Sequence, residues 1–398
     1  MEMREKMKIA GVICELNPLT LGHEYLFRRA KEDHDGLVCV LSGNFVQRGE
    51  PAILDKWVRT EMALSAGADL VLELPVPWAC AGAERFAAGG VALLDSLGCL
   101  DTLLFGSETG DAGPLMEVAR VLLSPAFEQT LRELPETGET FAVRRQRSVS
   151  RLAGEETGKL LEQPNDILGI EYCKAVLRQG SALVPLAIRR VGAGHDQEDG
   201  DEFPSGSQVR EKLRAGEALT GLVPEATVRA WEEADQTWHG PLDMKRIEMA
   251  VLARLRTMTA EDFARLPEIS EGLEHRLYDA AGKAGSLGSF YGLVKTKRYS
   301  MARIRRAAMG AFLGLTGDLP ALPPYGRILG MSGKGERILR QAAPRLPLVG
   351  RPAEMERLGE AAKAVFALEQ RADDLAGLAA PIPWERGRTC TEKVRKAP

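Results

Sequence analysis

Apolar and polar positions along the chain fall into two regimes. Through the first half, continuous apolar runs alternate with amphipathic stretches. The runs are KIAGVIC (8–14), LVCVL (37–41), LVLELP (70–75) and TLLFGS (102–107), and the stretches are His23–Asp33, Leu54–Ala68 and Glu84–Leu97. Unbroken β-branched-rich runs suit strands buried on both faces, and the stretches between them carry a helical period. This alternation predicts a doubly wound, Rossmann-like α/β domain with a parallel sheet and ligands at the carboxyl ends of its strands. Two further helices, about 164–180 and 206–215, flank the apolar run ALVPLAI (182–188) and complete a domain over 1–220. The Gly-rich, acidic stretch 192–207 reads as a long loop of the kind that carries function.

From about 225 the pattern turns mainly helical, which predicts a second domain over 221–398. After the breaker-rich GDLPALPPYG (317–326), the sequence RILG, a helix at 334–341 and PLVG suggest a small α/β unit at 327–350. The last eighteen residues carry five basic side chains and are expected to be loosely held.

Composition narrows the class. The chain has 398 residues, 44% hydrophobic and 27% charged, enough for more than one core. The net charge is −4, so affinity for nucleic acid has to come from a local basic patch. Cysteines at 14, 39, 80, 99, 173 and 390 form no C-x-x-C, and several lie in apolar runs. Reduced thiols and a cytoplasmic location are expected. The charged N-terminus leads straight into a strand, unlike a signal peptide, and no uncharged run reaches membrane-span length.

The stretch ELNPLTLGH (15–23) follows the first strand. Pro18 suits a turn, Gly22 permits close backbone approach of a ligand, and His23 falls in the first turn of a helix. Free N–H groups and the helix dipole favour an anion there, so a phosphate would meet both amides and an imidazole. An isolated Gly-His pair reads more simply as a surface turn; the strand-turn-helix context favours phosphate.

Thr20-Leu21-Gly22-His23 resembles the T/H-x-G-H signature of the nucleotidyltransferase superfamily. GVICELNPLTLGHEYL, VCVLSGNFVQRGEPAILDKWVRTEMAL, ADLVLELPVPWA, FGSE, QPNDILGIEY and IRRVGAGHD follow in the order found in bacterial tRNA(Met) cytidine acetate ligases, and LVKTKRYSMARIRRA extends the likeness. One position departs: that family carries His where this chain has Thr20, although related nucleotidyltransferases use Thr.

The resemblance implies an HxGH-type fold and ATP-dependent activation of acetate, without acetyl-CoA. Acetyl-adenylate would pass its acetyl group to the N4 amine of the wobble cytidine of elongator tRNA(Met). The protein supplies no nucleophile in the first step; it positions the reactants and neutralises charge. The resemblance gives His23, Thr20 and Gly22 the catalytic roles and places Ile13, Cys14, Glu15, Leu16, Asn17 and Pro18 along the ATP. It adds Gly106 and Asn165 as nucleotide contacts, with helix capping an equal account of Asn165. Arg189 and Arg190 end a strand and should face opposite ways, at least one reaching phosphate. SGSQVREKL (205–213) resembles an S-S-T-x-I-R element, with Ser207 and Arg210 beside an anion and Ser205 at the cap. Mg2+ is expected only as the companion of ATP phosphates, and no dedicated metal site is expected.

Arg48 and Lys56, in a polar stretch after the second strand, are second-tier contacts to RNA. KTKRYSMARIRR (295–306) holds six basic residues, one Tyr and no acid. A solvated face is the ordinary account of such a run. Because no acid lies within it, phosphate contact by Lys295, Lys297, Arg298, Arg303, Arg305 and Arg306 is favoured, with Tyr299 as a stacking surface. Two other readings stay open: a nucleotidyltransferase making a small nucleotide product, and an RNA-binding protein with a degenerate ATP site. The residues leave the acetate pocket and oligomeric state undetermined.

Overall fold

Five apolar runs of the first half become parallel strands: β1 (Ile9–Cys14), β2 (Gly36–Ser42), β3 (Leu70–Leu74), β4 (Thr102–Ser107) and β5 (Val184–Arg189). The structure is a computed structural model that describes residues 6–134, 139–190, 203–237, 239–270 and 272–397. The strand order in the sheet is β3-β2-β1-β4-β5, so chain order reverses between β1 and β4. A crevice at the carboxyl ends of β1 and β4 is the ligand position that such a reversal creates. Most of the acidic loop expected at 192–207 lies outside the described residues.

Both faces of the sheet are covered, which explains its unbroken apolar runs. On one face α1 (Leu21–Asp33), α2 (Lys56–Ser65) and α5 (Gly206–Arg214) pack Phe27, Trp57, Met62 and Val209 against Val12, Cys39 and Leu41. On the other, α3 (Ala83–Ser96) and α4 (Pro164–Gln179) pack Phe86, Leu94 and Ile170 against Ile9, Val38 and Leu72. Each such buried side chain contributes roughly 1.5–3 kcal/mol of transfer free energy. Helices Ala112–Leu122, Pro125–Glu133 and Phe141–Ala153 fill the interval before α4.

The second half has its own apolar cluster, including Leu252, Phe263, Leu277, Phe290, Ile304 and Ala376. Two of its helices bear on the site, α6 (Met301–Leu313) and α7 (Glu360–Gly377). The segment expected as a small α/β unit is not separate. Its strand β6 (Gly326–Met331) joins the main sheet, antiparallel to β3, while β7 (Leu348–Val349) and β8 (Arg395–Lys396) pair with β6 in turn. The physical reason is that β3 would otherwise present an open edge of unpaired backbone groups. The C-terminal tail is correspondingly held rather than loose: Arg395 also pairs with Glu61 at 2.7 Å.

Candidate active site

The turn after β1 is tightly determined. Leu16 adopts φ +46°, a left-handed conformation that costs a non-glycine residue about 1–3 kcal/mol and persists only where its surroundings enforce it. The Asn17–Pro18 peptide is cis. Asn17 Oδ1 accepts the Ile53 N–H at 2.8 Å, and Thr227 Oγ1 donates to Leu19 O at 2.9 Å. The turn delivers Thr20 to the start of α1. There the Thr20 N–H donates to His23 Nδ1 at 3.1 Å, with Thr20 Oγ1 2.8 Å from the same nitrogen.

A backbone N–H can only donate, so Nδ1 is the acceptor and the neutral ring carries its proton on Nε2. Burial, with the Arg190 cation close by, lowers the imidazole to about 4. His23 is therefore a neutral Nε2–H donor at ordinary pH. Gly22 is exposed, and a Cβ there would meet only Thr20 Oγ1, at 3.7 Å. The first turn of α1 is open on that side.

Across the crevice, the end of β4 and the start of α4 form one hydrogen-bonded unit. Glu108 Oε1 accepts from Asn165 Nδ2 at 2.6 Å, and its Oε2 accepts from the Asp166 N–H at 2.8 Å. Asn165 thus lies within the first turn and does not cap it; the carboxylate of Glu108 serves instead, at the favourable end of the helix dipole. Asn165 Oδ1 accepts from Arg190 Nη1 at 3.3 Å, and a Cβ on Gly106 would lie 3.4 Å from Arg190 Cγ. Gly106, Asn165, Arg190 and His23 are thereby drawn to one place. Arg189 is exposed and donates to Thr109 O at 3.2 Å.

The floor is held by a residue that no sequence motif singles out. Arg59 is fully buried and donates to Glu15 O at 2.6 Å, Ser42 O at 3.0 Å, Gly43 O at 2.6 Å and Leu54 O at 2.9 Å. Burial lowers this guanidinium to about 10, with Asp55 and Glu15 opposing. It satisfies carbonyls at the carboxyl ends of β1 and β2 that no further strand residue reaches. Its one signal in the sequence is a place inside DKWVRTEMAL, among residues with plainer roles. Arg210 works in the same way from α5, donating to Asn17 O at 2.6 Å and Ser207 Oγ at 3.2 Å. Ser205 is the cap, accepting from the Gln208 N–H at 3.3 Å. Ile13 packs against Gly90 of α3, and Cys14 is buried with Sγ 3.8 Å from Cys39 Sγ.

Two residues expected to meet RNA do not face it. Lys56 is fully buried, bonded to Glu73 at 2.5 Å and Asp373 at 2.9 Å, with Glu369 at 3.9 Å. It neutralises carboxylates from β3 and α7 and cannot reach solvent. Tyr299 is only 4% exposed and packs in the second apolar cluster, so it offers no stacking face. The basic run also finds an acid from elsewhere: Arg306 pairs with Glu268 at 3.0 Å, and Arg303 donates to Glu268 O. Arg48, Lys295, Lys297 and Arg298 are exposed, and Arg305 is half-buried with its guanidinium 5.8 Å from the Tyr291 ring centroid.

A hairpin joins this surface to the crevice. Its Gln47 N–H donates to Glu15 Oε1 at 2.8 Å. Two residues on, Gly49 has φ +73°, and a Cβ there would stand 2.6 Å from the Arg305 carbonyl carbon. Only glycine permits both the conformation and the approach to α6.

Comparison with known proteins agrees with this geometry. Residues 7–388 match the family described as HIGH Nucleotidyl Transferase. The tRNA(Met) cytidine acetate ligase of Acetivibrio thermocellus is 36% identical over 364 residues, covering 86% of this chain and 88% of its own. That of Syntrophomonas wolfei is 33% identical over 402 residues, covering 96% and 97%. The crystal structure of apo Thermotoga maritima TmcAL is similar with a TM-score of 0.91 at 30% identity, covering 98% of this chain and 100% of that one. The same protein bound with alpha-thio ATP gives a TM-score of 0.90 with the same identity and coverage.

Proposed function

This chain belongs to the tRNA(Met) cytidine acetate ligase family of HIGH nucleotidyl transferases, and from that premise we propose that it activates acetate with ATP and acetylates a tRNA cytidine. In this reading a carboxylate oxygen of acetate attacks the α-phosphorus, and pyrophosphate leaves. The N4 amine of the wobble cytidine of elongator tRNA(Met) then takes the acetyl group, and AMP leaves. Acetyl-CoA has no part.

The observation that carries the first step is the fixed tautomer of His23. A neutral Nε2–H beside the open first turn of α1 adds a directed donor to the helix amides where negative charge gathers. Thr20 sets that ring by its N–H and hydroxyl, which gives a physical role to Thr where the family has His. Arg190 and Asn165 supply charge and a polar amide from the facing wall, and Gly106 leaves room for the nucleotide. Mg2+ would accompany the triphosphate, bound by its oxygens; no trio of metal-ligating side chains occurs among the described residues.

The second substrate reaches the crevice from the side of Arg48 and the exposed part of 295–306, within a catalytic region over 1–220 and an RNA-gripping region over 221–398. A cytoplasmic location belongs to the same reading; no helix among the described residues is long and apolar enough to cross a membrane. ATP–pyrophosphate exchange that appears only with acetate, followed by mass spectrometry of methionine tRNA after incubation with both, tests it. Exchange without acetate, or no gain of an acetyl mass on the tRNA, would overturn it.

A further inference from the structure

A carboxylate just past β4 governs the direction of a cation that faces α1 across the crevice. Glu108 Oε1 accepts from the Asn165 N–H at 3.2 Å and from Asn165 Nδ2 at 2.6 Å, while Oε2 accepts from the Asp166 N–H at 2.8 Å. Asp166 is buried and returns the contact, accepting from the Thr109 N–H at 3.1 Å and from the Thr109 hydroxyl. The loop after β4 and the first turn of α4 are clamped from both sides. Glu108 is therefore held by its chain neighbour as well as by its own bonds.

These contacts settle which way the Asn165 amide points. A carboxylate only accepts, so the atom 2.6 Å from Glu108 is the nitrogen; a guanidinium only donates, so the atom 3.3 Å from Arg190 Nη1 is the oxygen. Among the described residues no carboxylate pairs with Arg190, and its guanidinium meets one side-chain acceptor, Asn165 Oδ1. Its stem runs over Gly106, where a Cβ would lie 3.4 Å from Cγ, and the cation is close enough to His23 to help hold down that imidazole. The remaining donors of the fork suit an anionic ligand lying between these two walls.

Resting on the ATP-dependent function above, we infer that Glu108 is a positioning residue for the nucleotide: it turns the Asn165 amide so that the oxygen aims the Arg190 guanidinium at phosphate on the first turn of α1. Glu108 touches no ligand itself. Its acceptor-only carboxylate is what gives the relay a direction. With glutamine at 108, the oxygen stays on the shorter backbone contact, the Asp166 N–H, and the new amide faces Asn165. Asn165 then turns its oxygen toward position 108 and presents N–H groups to Arg190, so that donor meets donor. The bond to the helix start survives, while the cation loses its acceptor.

The test is a double-mutant cycle read as affinity for Mg2+-ATP, by titration calorimetry on the full chain. Arg190→Met should weaken ATP binding by about 10- to 100-fold, the effect of losing a charge-assisted hydrogen bond. Glu108→Gln should weaken it by about 10-fold while moving the thermal midpoint by no more than about 4 °C. On the Arg190→Met background the same change should alter affinity by no more than about twofold, because no guanidinium remains to be aimed. Additive losses would overturn the inference, since a purely structural carboxylate weakens binding whether or not Arg190 is present. Asn165→Leu keeps both backbone N–H bonds to Glu108 and removes the amide oxygen. It should lose at least as much affinity as Glu108→Gln; unchanged binding there would overturn the inference even if Glu108→Gln failed to fold. The cycle needs no acetate, so the acetate dependence of exchange in the unsubstituted protein decides the proposed function separately. Failure of the unsubstituted protein to bind ATP would overturn both.

Discussion

The Thr20 N–H points at Nδ1 of His23, three residues ahead in the chain, over 3.1 Å. This one hydrogen bond decides which face of the ring can act on a ligand. It also predicts a titration. With the folded imidazole near 4 and an ordinary value of about 6.5 when unfolded, the unfolded chain binds the extra proton between those limits. Stability contributed by neutral His23 is therefore present above about 6.5 and lost as pH falls toward 4. NMR of the ring, assigned by its absence in His23→Ala, should show no midpoint between pH 5 and 8. His23→Ala should lower acetate-dependent exchange by about 100- to 1,000-fold, the usual effect of removing one directed donor.

Thr20→Val removes the hydroxyl and keeps the backbone N–H, so the ring keeps its tautomer. Exchange should fall by about 10-fold, the size of one hydrogen bond, with thermal stability nearly unchanged. A fall as large as that of His23→Ala would show that the hydroxyl, rather than the amide, orients the imidazole.

Arg59→Met strips four carbonyls of their donor inside a closed interior. Urea denaturation should show a loss of about 3–5 kcal/mol. Arg59→Lys should recover only part of it, since an ammonium lacks the planar fork.

The buried cluster around Lys56 makes opposite predictions for its two kinds of member. Lys56→Met leaves Asp373 without its cation and Glu73 with Arg327 alone, and should cost about 3–5 kcal/mol. Burial, reinforced by Glu73, pushes Glu369 well above the usual carboxylate range, so its protonated form fits the fold. Such a group stabilises below the ordinary carboxylate range, and that contribution fades as pH rises toward the folded value. Glu369→Gln mimics the protonated form. It should flatten the decline of stability that sets in as pH rises above the ordinary carboxylate range, so urea titrations at neutral pH should find the variant more stable than the unsubstituted protein.

Lys297 and Arg298 are exposed members of the basic run. Replacing both with Ala should weaken tRNA binding and reduce its salt dependence by about 0.7–0.9 in logarithmic slope for each phosphate no longer neutralised. Exchange should be unaffected. An unchanged slope in filter binding would remove this surface from the RNA path.

Much of the fold was legible because strands buried on both faces announce themselves as unbroken apolar runs, as in Val38–Leu41 and Leu70–Leu72. The turn at 15–23 was legible because Pro18 restricts the backbone there and Gly22 leaves the helix start uncovered. Arg59 and Lys56 were not, since an arginine or lysine on a helix looks the same whether it meets solvent or a buried carbonyl. Tyr299 was misleading for a related reason: flanking charges suggest exposure, but Ile304 and its neighbours carry that stretch into the apolar cluster. Pairing of β6 with β3 joins segments more than 250 residues apart, a distance across which no local pattern reports.

That long-range pairing means the two halves are not separable modules. A fragment ending near residue 220 would leave Leu70–Leu74 with a bare flank ready to recruit another chain. It would also take Asp373 from Lys56 and Arg327 from Glu73, leaving that buried pair only each other. Expressing the amino-terminal half by itself should yield self-associating material, and any lineage that shed the carboxyl-terminal half would have to rebuild that sheet margin before it could keep the chemistry.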